Sequence, residues 1–258
     1  MTKPAEMQKA SLQWRRGGQR VVLVPTMGAL HEGHAALIRR ARRLGDRVVV
    51  SSYVNPTQFN QRADYQKYPQ RPSMDRKLAK AAGADVLFRP TQLYAPNAST
   101  WVEELERSQG RCGAYRPNHF RGVATVVAKL FGIVQPDVAV FGEKDLQQCE
   151  VVERLTRDLF LPVRIVRHPI VREKDGLAMS SRNLRLHPRQ RELAGFWALS
   201  VRAAARKGGV LAKGHLQKLL RRVKGVKLEY AEVVDGHLCA AAWVGAVRLI
   251  DNRKCGSK

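Results

Sequence analysis

Carboxylates are scarce in this chain. Of 258 residues only 22 are Asp or Glu, against 46 Lys and Arg, giving a formal net charge of +24. Cysteine is scarcer still. Cys112, Cys149, Cys239 and Cys255 stand far apart, with no CxxC pair and no Cys/His cluster. That spacing excludes a zinc ribbon or a disulfide framework and picks out no metal ligands. Aromatic residues make up 7%. No RNP-like aromatic strand, zinc-finger spacing or clear recognition helix accompanies the positive charge. Long apolar runs are missing as well. None approaches the roughly 18 residues of a membrane span, and residues 1–20 lack a signal-peptide core. The expectation is a soluble, reduced, cytoplasmic protein with no membrane partner. At 44% hydrophobic the chain is too apolar for a disordered basic tail. Its length suits one large domain or two modest ones.

The positive charge is spread unevenly. Residues 1–169 carry 27 basic and 15 acidic groups, and residues 170–258 carry 19 and 7. Each part has a net +12, so the second is about twice as basic per residue. Such charge attracts nucleic acid, acidic surfaces and anionic substrates without identifying any of them. A solvated basic surface is the plainer reading, and specific nucleic-acid binding is not expected.

The pattern along the chain is strand–loop–helix–strand. Arg20–Val24 reads as a strand, His34–Leu44 as a helix with Leu37, Ile38, Ala41 and Leu44 on one face, and Val48–Val54 as a buried strand. Ser73–Ala82 (helix), Asp85–Phe88 (strand), Gly122–Phe131 (helix), Asp137–Phe141 (strand), Lys144–Leu159 (helix) and Val163–Val166 (strand) continue the alternation. This predicts an α/β fold with an open parallel sheet. Composition shifts after Pro169. Helical stretches Pro188–Lys207 and Gly214–Val223, then strands Lys227–Val234 and Ala246–Ile250, predict a small α+β domain. The expected domains are residues 1–169 and 170–258.

Three segments carry chemistry. Thr26-Met27-Gly28-Ala29-Leu30-His31-Glu32-Gly33-His34 joins a strand to a helix, where helix amides and two imidazoles can face an anion. It is neither a His-Glu-x-x-His zinc helix nor a P-loop; two surface histidines in a glycine turn are the alternative. Gly142-Glu143-Lys144-Asp145-Leu146-Gln147-Gln148 follows a strand and opens a helix. There Lys144 suits a phosphate, Asp145 a ribose hydroxyl, a magnesium ion or simply a helix cap, and Gln148 a small polar substrate. Met179-Ser180-Ser181-Arg182-Asn183 offers two hydroxyls and a guanidinium to phosphate, or forms an interdomain turn. It lacks a nucleophile elbow. Asn55-Pro56-Thr57-Gln58-Phe59 and Arg116-Pro117-Asn118-His119-Phe120-Arg121-Gly122 add polar loops at strand and helix ends.

Together these motifs resemble the pantoate–beta-alanine ligase family within the nucleotidyltransferases. The match is carried by Pro25–His34, Asn55–Phe59, His119–Val123, Gly142–Asp145 with Gln147-Gln148, and Ser180–Asn183. The resemblance implies a Rossmann-like domain followed by a compact C-terminal lid domain, and a homodimer. It implies ATP as a substrate with Mg2+, and activation of pantoate as pantoyl adenylate before beta-alanine attacks. It assigns catalysis to His31, His34, Lys144, Ser180, Ser181 and Arg182. Nucleotide binding falls to these with Met27, Gly28, Gly33, Gly142, Asp145, Val171 and Met179. Substrate binding falls to Pro25, Met27, Asn55, Gln58, Arg116 and Gln148. The chain departs from the family at Asn118, where glycine is usual, and at Gln70-Arg71, where the arginine is displaced by one position. The interval between Leu228–Asp235 and Arg248–Asn252 is also short. Another nucleotidyltransferase, or a basic nucleotide- or nucleic-acid-binding homologue with altered catalysis, is the competing reading.

Overall fold

Five apolar runs become one parallel sheet in the computed structural model, which describes residues 1–256. The chain divides into two units, Met1–Glu143 with Gln147–Pro169, and Lys144–Leu146 with Ile170–Lys258. The first unit opens with helix α1 (Pro4–Arg16), then β1 (Val21–Thr26), α2 (Glu32–Arg42) and β2 (Arg47–Ser52). Short helices α3 (Arg62–Gln66) and α5 (Arg111–Tyr115) flank α4 (Pro72–Ala81) and β3 (Val86–Phe88). Helix α6 (His119–Val134), β4 (Val138–Gly142), α7 (Leu146–Asp158) and β5 (Arg164–His168) complete the alternation.

The strand order is β3-β2-β1-β4-β5, all parallel. From β1 the chain winds to one side through β2 and β3, then crosses to β4 on the other. The order therefore reverses between β1 and β4, and ligands in open α/β sheets bind beyond the carboxyl ends at such a point. Alternation along the strands sends Val22 and Val24 to one face, with Val48, Val50, Val138 and Val140 beside them. Ile38 and Ala41 of α2 and Ala79 of α4 cover that face. Helix α6 contacts β1 and α1.

In the second unit α8 (Pro188–Ala205) and α9 (Gly209–Leu220) cover an antiparallel sheet of β6 (Val226–Val234), β7 (His237–Val244) and β8 (Val247–Lys254). Trp197 and Leu216, both fully buried, pack with Leu238, Ala240 and Ala242 of β7.

The short helices α3 and α5 were not expected from the sequence, and two larger elements differ from the expectation as well. Helix α1 was not anticipated, and the central strand β7 was missed entirely. Its run of alanines favours a helix by intrinsic propensity. Tertiary context overrides this. Asp235 and Gly236 both adopt positive φ, 46° and 73°, which closes a two-residue hairpin onto β6. Small side chains then suit a strand lying between two others and beneath helices.

Candidate active site

In the first unit, the segment after β1 passes through Gly28 at φ 82° and Ala29 at φ 49°. A Cβ at position 28 would lie 2.7 Å from Ser52 Oγ and 3.1 Å from Asp75 Oδ2, so only glycine fits. Asp75 is 2% exposed. Its two oxygens accept the N–H groups of Ala29 at 3.0 Å and Leu30 at 2.7 Å. Thr26 Oγ1 accepts the Gly28 N–H at 3.1 Å and donates to Ser51 O at 2.6 Å. The loop is thus pinned at Thr26 and at three successive residues, Gly28, Ala29 and Leu30, before α2 begins.

His31 is the N-cap of α2. Its Nδ1 accepts the Gly33 N–H at 3.1 Å, and His34 Nδ1 accepts the His31 N–H at 3.3 Å. This is a capping box built from two imidazoles. An accepting ring nitrogen carries no proton, so each neutral ring keeps its proton on Nε2. The ring centroids are 4.1 Å apart with the planes tilted by 38°. The cap therefore produces two half-buried N–H donors in a fixed tautomer, beside a helix N-terminus that favours anions.

Beyond β2, Asn55 precedes a 3-10 turn, Pro56–Gln58. Asn55 is 1% exposed. Its Nδ2 donates to Gln58 Oε1 at 3.0 Å and to Gly122 O at 3.1 Å, and its Oδ1 accepts from Thr57 Oγ1 at 3.0 Å. Gln58 Nε2 in turn donates to Met27 Sδ at 3.1 Å. Asn55, Gln58 and Met27 therefore form one chain. The Asn55 carboxamide orients Gln58.

The backbone of this turn is clamped from α6. A Cβ at Gly122 would lie 2.6 Å from Thr57 O. His119 Nδ1 lies 2.8 Å from Gln58 O, Arg116 donates to the same oxygen at 3.1 Å, and the Arg116 guanidinium lies 3.0 Å from His119 Nε2. Because an arginine donates to Nε2, the His119 proton is on Nδ1 and points at Gln58 O. Arg116 thus supports the turn through its backbone. Asn118 enters α6 at φ 62°, ψ 0°, a left-handed geometry that asparagine tolerates.

Pro25 pairs with Ser51 in the sheet, and Gly142 closes β4. Gln148 is half-buried at the start of α7. Its neighbour Gln147 is 6% exposed. Gln147 Oε1 accepts the Cys112 N–H at 2.9 Å, while Nε2 approaches the carbonyls of Arg107, Gln109 and Gly110. One glutamine of the pair holds a turn.

In the second unit, Lys144 Nζ lies 3.4 Å from Asp145 Oδ2, and Asn252 Nδ2 donates to Lys144 O at 3.2 Å. The Met179 N–H bonds Val171 O at 3.0 Å, closing a small hairpin around Gly176. Ser180 caps a 3-10 turn, Ser181–Arg185, accepting the Arg182 N–H at 3.2 Å. Accepting that bond leaves the hydroxyl still able to donate. Asn183 ties this turn to Glu173 Oε1 at 2.7 Å and Ala178 O at 3.1 Å. Arg191 binds both Glu173 and Asp175, and its hydrogen bond holds the Asp175 carboxyl below its usual range. Arg172 clasps the buried Asp251 through two bonds, at 2.9 and 2.8 Å.

Sequence reasoning missed Asp75, Tyr94 and the holding role of Gln147. Asp75 had a visible signal. It shares the apolar face of α4 with Leu78, Ala79 and Ala82 at helical spacing, and a carboxylate there requires partners. Among the described residues no group of three or more His, Cys, Asp or Glu is placed to hold a metal ion.

Comparison with known proteins agrees with this geometry. The family model for pantoate-beta-alanine ligase matches residues 1–254. The pantothenate synthetase of Thermotoga petrophila is 45% identical over 272 aligned positions, covering 97% of each chain. That of Solidesulfovibrio magneticus is 46% identical, covering 97% of this chain and 95% of the relative. Both alignments are longer than this chain, so the relatives carry segments it lacks. The crystal structure of pantothenate synthetase from Thermus thermophilus superposes with a TM-score of 0.90 at 40% identity, covering 98% of both chains. A Francisella tularensis pantoate-beta-alanine ligase, solved with beta-gamma ATP and beta-alanine, superposes with a TM-score of 0.89 at 34% identity, covering 98% and 96%. With the loops at the β1/β4 switch point in place and the match running the length of the described fold, the chain belongs to the pantoate–beta-alanine ligase family.

Proposed function

We infer that the chain condenses pantoate with beta-alanine in two steps driven by ATP. A pantoate carboxylate oxygen attacks the α-phosphorus of ATP. The bond to the β-phosphate breaks, giving pantoyl adenylate and pyrophosphate. The beta-alanine amine then attacks the acyl carbon, loses a proton, and AMP leaves with the acyl oxygen. Neither step needs a protein nucleophile; both need stabilisation of charge on phosphate oxygens.

The observation that carries this reading is the imidazole capping box. It fixes two Nε2–H donors at the carboxyl end of β1, the favoured place for a phosphate in this fold. His31 and His34 donate to phosphate oxygens, and Gly28 and Gly33 allow close approach of backbone. Lys144 and Arg182 neutralise charge that moves onto pyrophosphate, the Ser180 and Ser181 hydroxyls donate to its oxygens, and Val171 and Met179 line the nucleotide. Gln58 and Gln148 hold the pantoate hydroxyls and carboxylate, beside Pro25 and Met27. Asp145, which pairs with Lys144, would be the carboxylate facing a magnesium ion carried on the triphosphate, and such an ion would neutralise part of the phosphate charge.

The four cysteines form no disulfide among the described residues, which suits a reducing cytoplasm. No helix of the described residues is long and apolar enough to cross a membrane. We extend the reading to a homodimer. β5 has a single sheet partner, and Leu159 and Phe160 stand exposed just before it.

The test follows AMP, pyrophosphate and pantothenate together with magnesium-ATP, pantoate and beta-alanine. All three products, dependent on both organic substrates and suppressed by Lys144→Ala, are expected. Pyrophosphate without pantothenate would reduce the reading to an adenylating enzyme.

A further inference from the structure

Arg253 is a cation packed among cations. Its Nε is buried and has no hydrogen-bond partner, and a terminal nitrogen of its guanidinium donates to Gly176 O at 3.3 Å. Regular pairing of β7 with β8 sets Arg253 opposite Leu238, and alternation puts it on the same face as Val247, Leu249 and Asp251. Leu238, Val247 and Leu249 belong to the core that α8 covers. Arg253 therefore faces the helix layer at the margin of that core.

Helix α8 meets it with two more arginines. Gly195, Arg202 and Arg206 stand at i, i+7 and i+11, which is one stripe of a helix. At Gly195 the stripe is approached by the Asp175 carboxylate, the residue before Gly176. At its other end the Gly256 N–H bonds Ala205 O at 3.1 Å. The hairpin tip and the end of β8 thus flank the side of α8 that carries Arg202 and Arg206. Burial first, then the field of Arg172, holds the Arg253 guanidinium below its usual value; Asp251 opposes this, and Arg202 and Arg206 add to it.

The carboxylates nearby are engaged. Arg172 clasps Asp251, and Glu173 and Asp175 share Arg191. Arg202, Arg206 and Arg253 form no ion pair among the described residues. Basic residues in the last turn of a helix are ordinary. A half-buried arginine held against them without a counterion is not, because desolvation and repulsion both oppose it.

We propose that Arg253, Arg202 and Arg206 form a binding site for one phosphate group, carried by inorganic phosphate or by a phosphomonoester. A phosphate dianion offers oxygens to several guanidinium groups at once and supplies the missing negative charge. A lone carboxylate brings one charge and fits one guanidinium fork. The site is separate from the nucleotide contacts proposed above. Arg253 touches the hairpin at its tip, Gly176, whereas Ser180–Arg182 follow its base, where the Met179 N–H bonds Val171 O.

Isothermal titration calorimetry of the full chain with inorganic phosphate tests this, with chloride holding the ionic strength constant. Arg253→Gln, and the pair Arg202→Gln with Arg206→Gln, are each expected to weaken binding about tenfold. The pair Lys213→Gln with Lys218→Gln, exposed on α9 of the same unit, should leave it unchanged. Arg182→Gln should also leave it unchanged while pyrophosphate release falls, so failure of this site and failure of the ligase reading show separately. In phosphate-free buffer Arg253→Gln should melt no lower than the wild type, because it removes a cation that nothing offsets. Glycerol phosphate serves as the phosphomonoester probe; the tighter of the two ligands identifies the source, and either supports the site. The proposal is overturned by the absence of saturable phosphate binding, by equal loss in the α9 pair, or by loss of binding in Arg182→Gln. It is likewise overturned if succinate binds as tightly as phosphate, or if Arg253→Gln melts clearly lower without phosphate, which would make Arg253 a structural residue.

Discussion

The Tyr94 hydroxyl lies 3.1 Å from the Thr57 hydroxyl, and only one direction of donation satisfies both. Thr57 has one hydroxyl proton, and it goes to Asn55 Oδ1. Tyr94 must therefore donate to Thr57. Burial pushes the phenol above its usual range, so it keeps that proton at neutral pH. The proton chain runs from Tyr94 through Thr57 and Asn55 to Gln58. Lys129 sits over the Tyr94 ring, 5.0 Å from its centroid.

Removing the head of that chain loosens Gln58, the residue proposed to hold pantoate, without altering Gln58 itself. Tyr94→Phe is expected to raise the KM for pantoate about fivefold, the equivalent of one hydrogen bond near 1 kcal/mol, with kcat little changed. Thr57→Val, which also strips Asn55 Oδ1 of its partner, should do more, and Thr57→Ser should restore near-normal binding. Steady-state kinetics in pantoate check all three. A Tyr94→Phe enzyme with wild-type KM would disconnect the phenol from the site.

Asp75 accepts from two backbone N–H groups and is almost fully buried. An asparagine there can accept with its oxygen but must turn an NH2 toward the other N–H. Asp75→Asn is expected to cost about 1.5–3 kcal/mol, the range for hydrogen bonds to a charged group. It should also lower kcat/KM, because the His31 cap begins at the end of the pinned loop. Urea melts and pyrophosphate release measure the two effects. Gly28→Ala should show the same pairing of losses, since it forces a Cβ toward Ser52 and Asp75 at positive φ.

The sequence carried most of the parallel sheet because valine runs such as Val48–Val50 and the following helices announce themselves by period. It also carried the residues expected to touch ligand, because loop motifs such as His31–His34 and Ser180–Arg182 are local. What it hid was the support beneath them. Asp75 reaches Ala29 across 46 positions, and His119 reaches Gln58 across 61. Neither pairing leaves a trace in local spacing. Strand β7 was hidden for a different reason. Its alanines say nothing of a strand until the Asp235-Gly236 turn and the covering helices decide the matter.

The observed capping role of His31 and His34 and their proposed phosphate-binding role separate in experiment. As caps they stabilise α2, and losing such a cap costs about 1 kcal/mol. As the proposed donors to phosphate they would act on the transition state, where one donor is worth about 10²–10³ in rate. His34→Ala should therefore lower the thermal midpoint by only a few degrees, about what 1 kcal/mol removes, while pyrophosphate release falls by about 10²–10³. A variant that melts early yet turns over normally would leave the imidazole with a structural role alone.

The Arg191–Asp175 pair gives the second unit an acid-sensitive joint. The hydrogen bond from Arg191 lowers the Asp175 pKa in the folded chain relative to the unfolded one. Folding therefore disfavours its proton. The stabilisation is fully present above the unfolded value, near 3.9, and is lost as pH falls through the lower folded value. The Asp175 side chain is 35% exposed, so solvent screening keeps the contribution to well under about 1 kcal/mol. Asp175→Asn should lower the urea midpoint slightly at pH 7 and converge with the wild type as both are acidified toward pH 3. The approach of α8 sharpens the effect, because a Cβ at Gly195 would lie 2.8 Å from Asp175 Oδ2 and the carboxylate has little room to move. A gap between the two proteins that persists undiminished at pH 3 would show that the asparagine disturbs packing around Gly195 and that the charge of Asp175 contributes nothing.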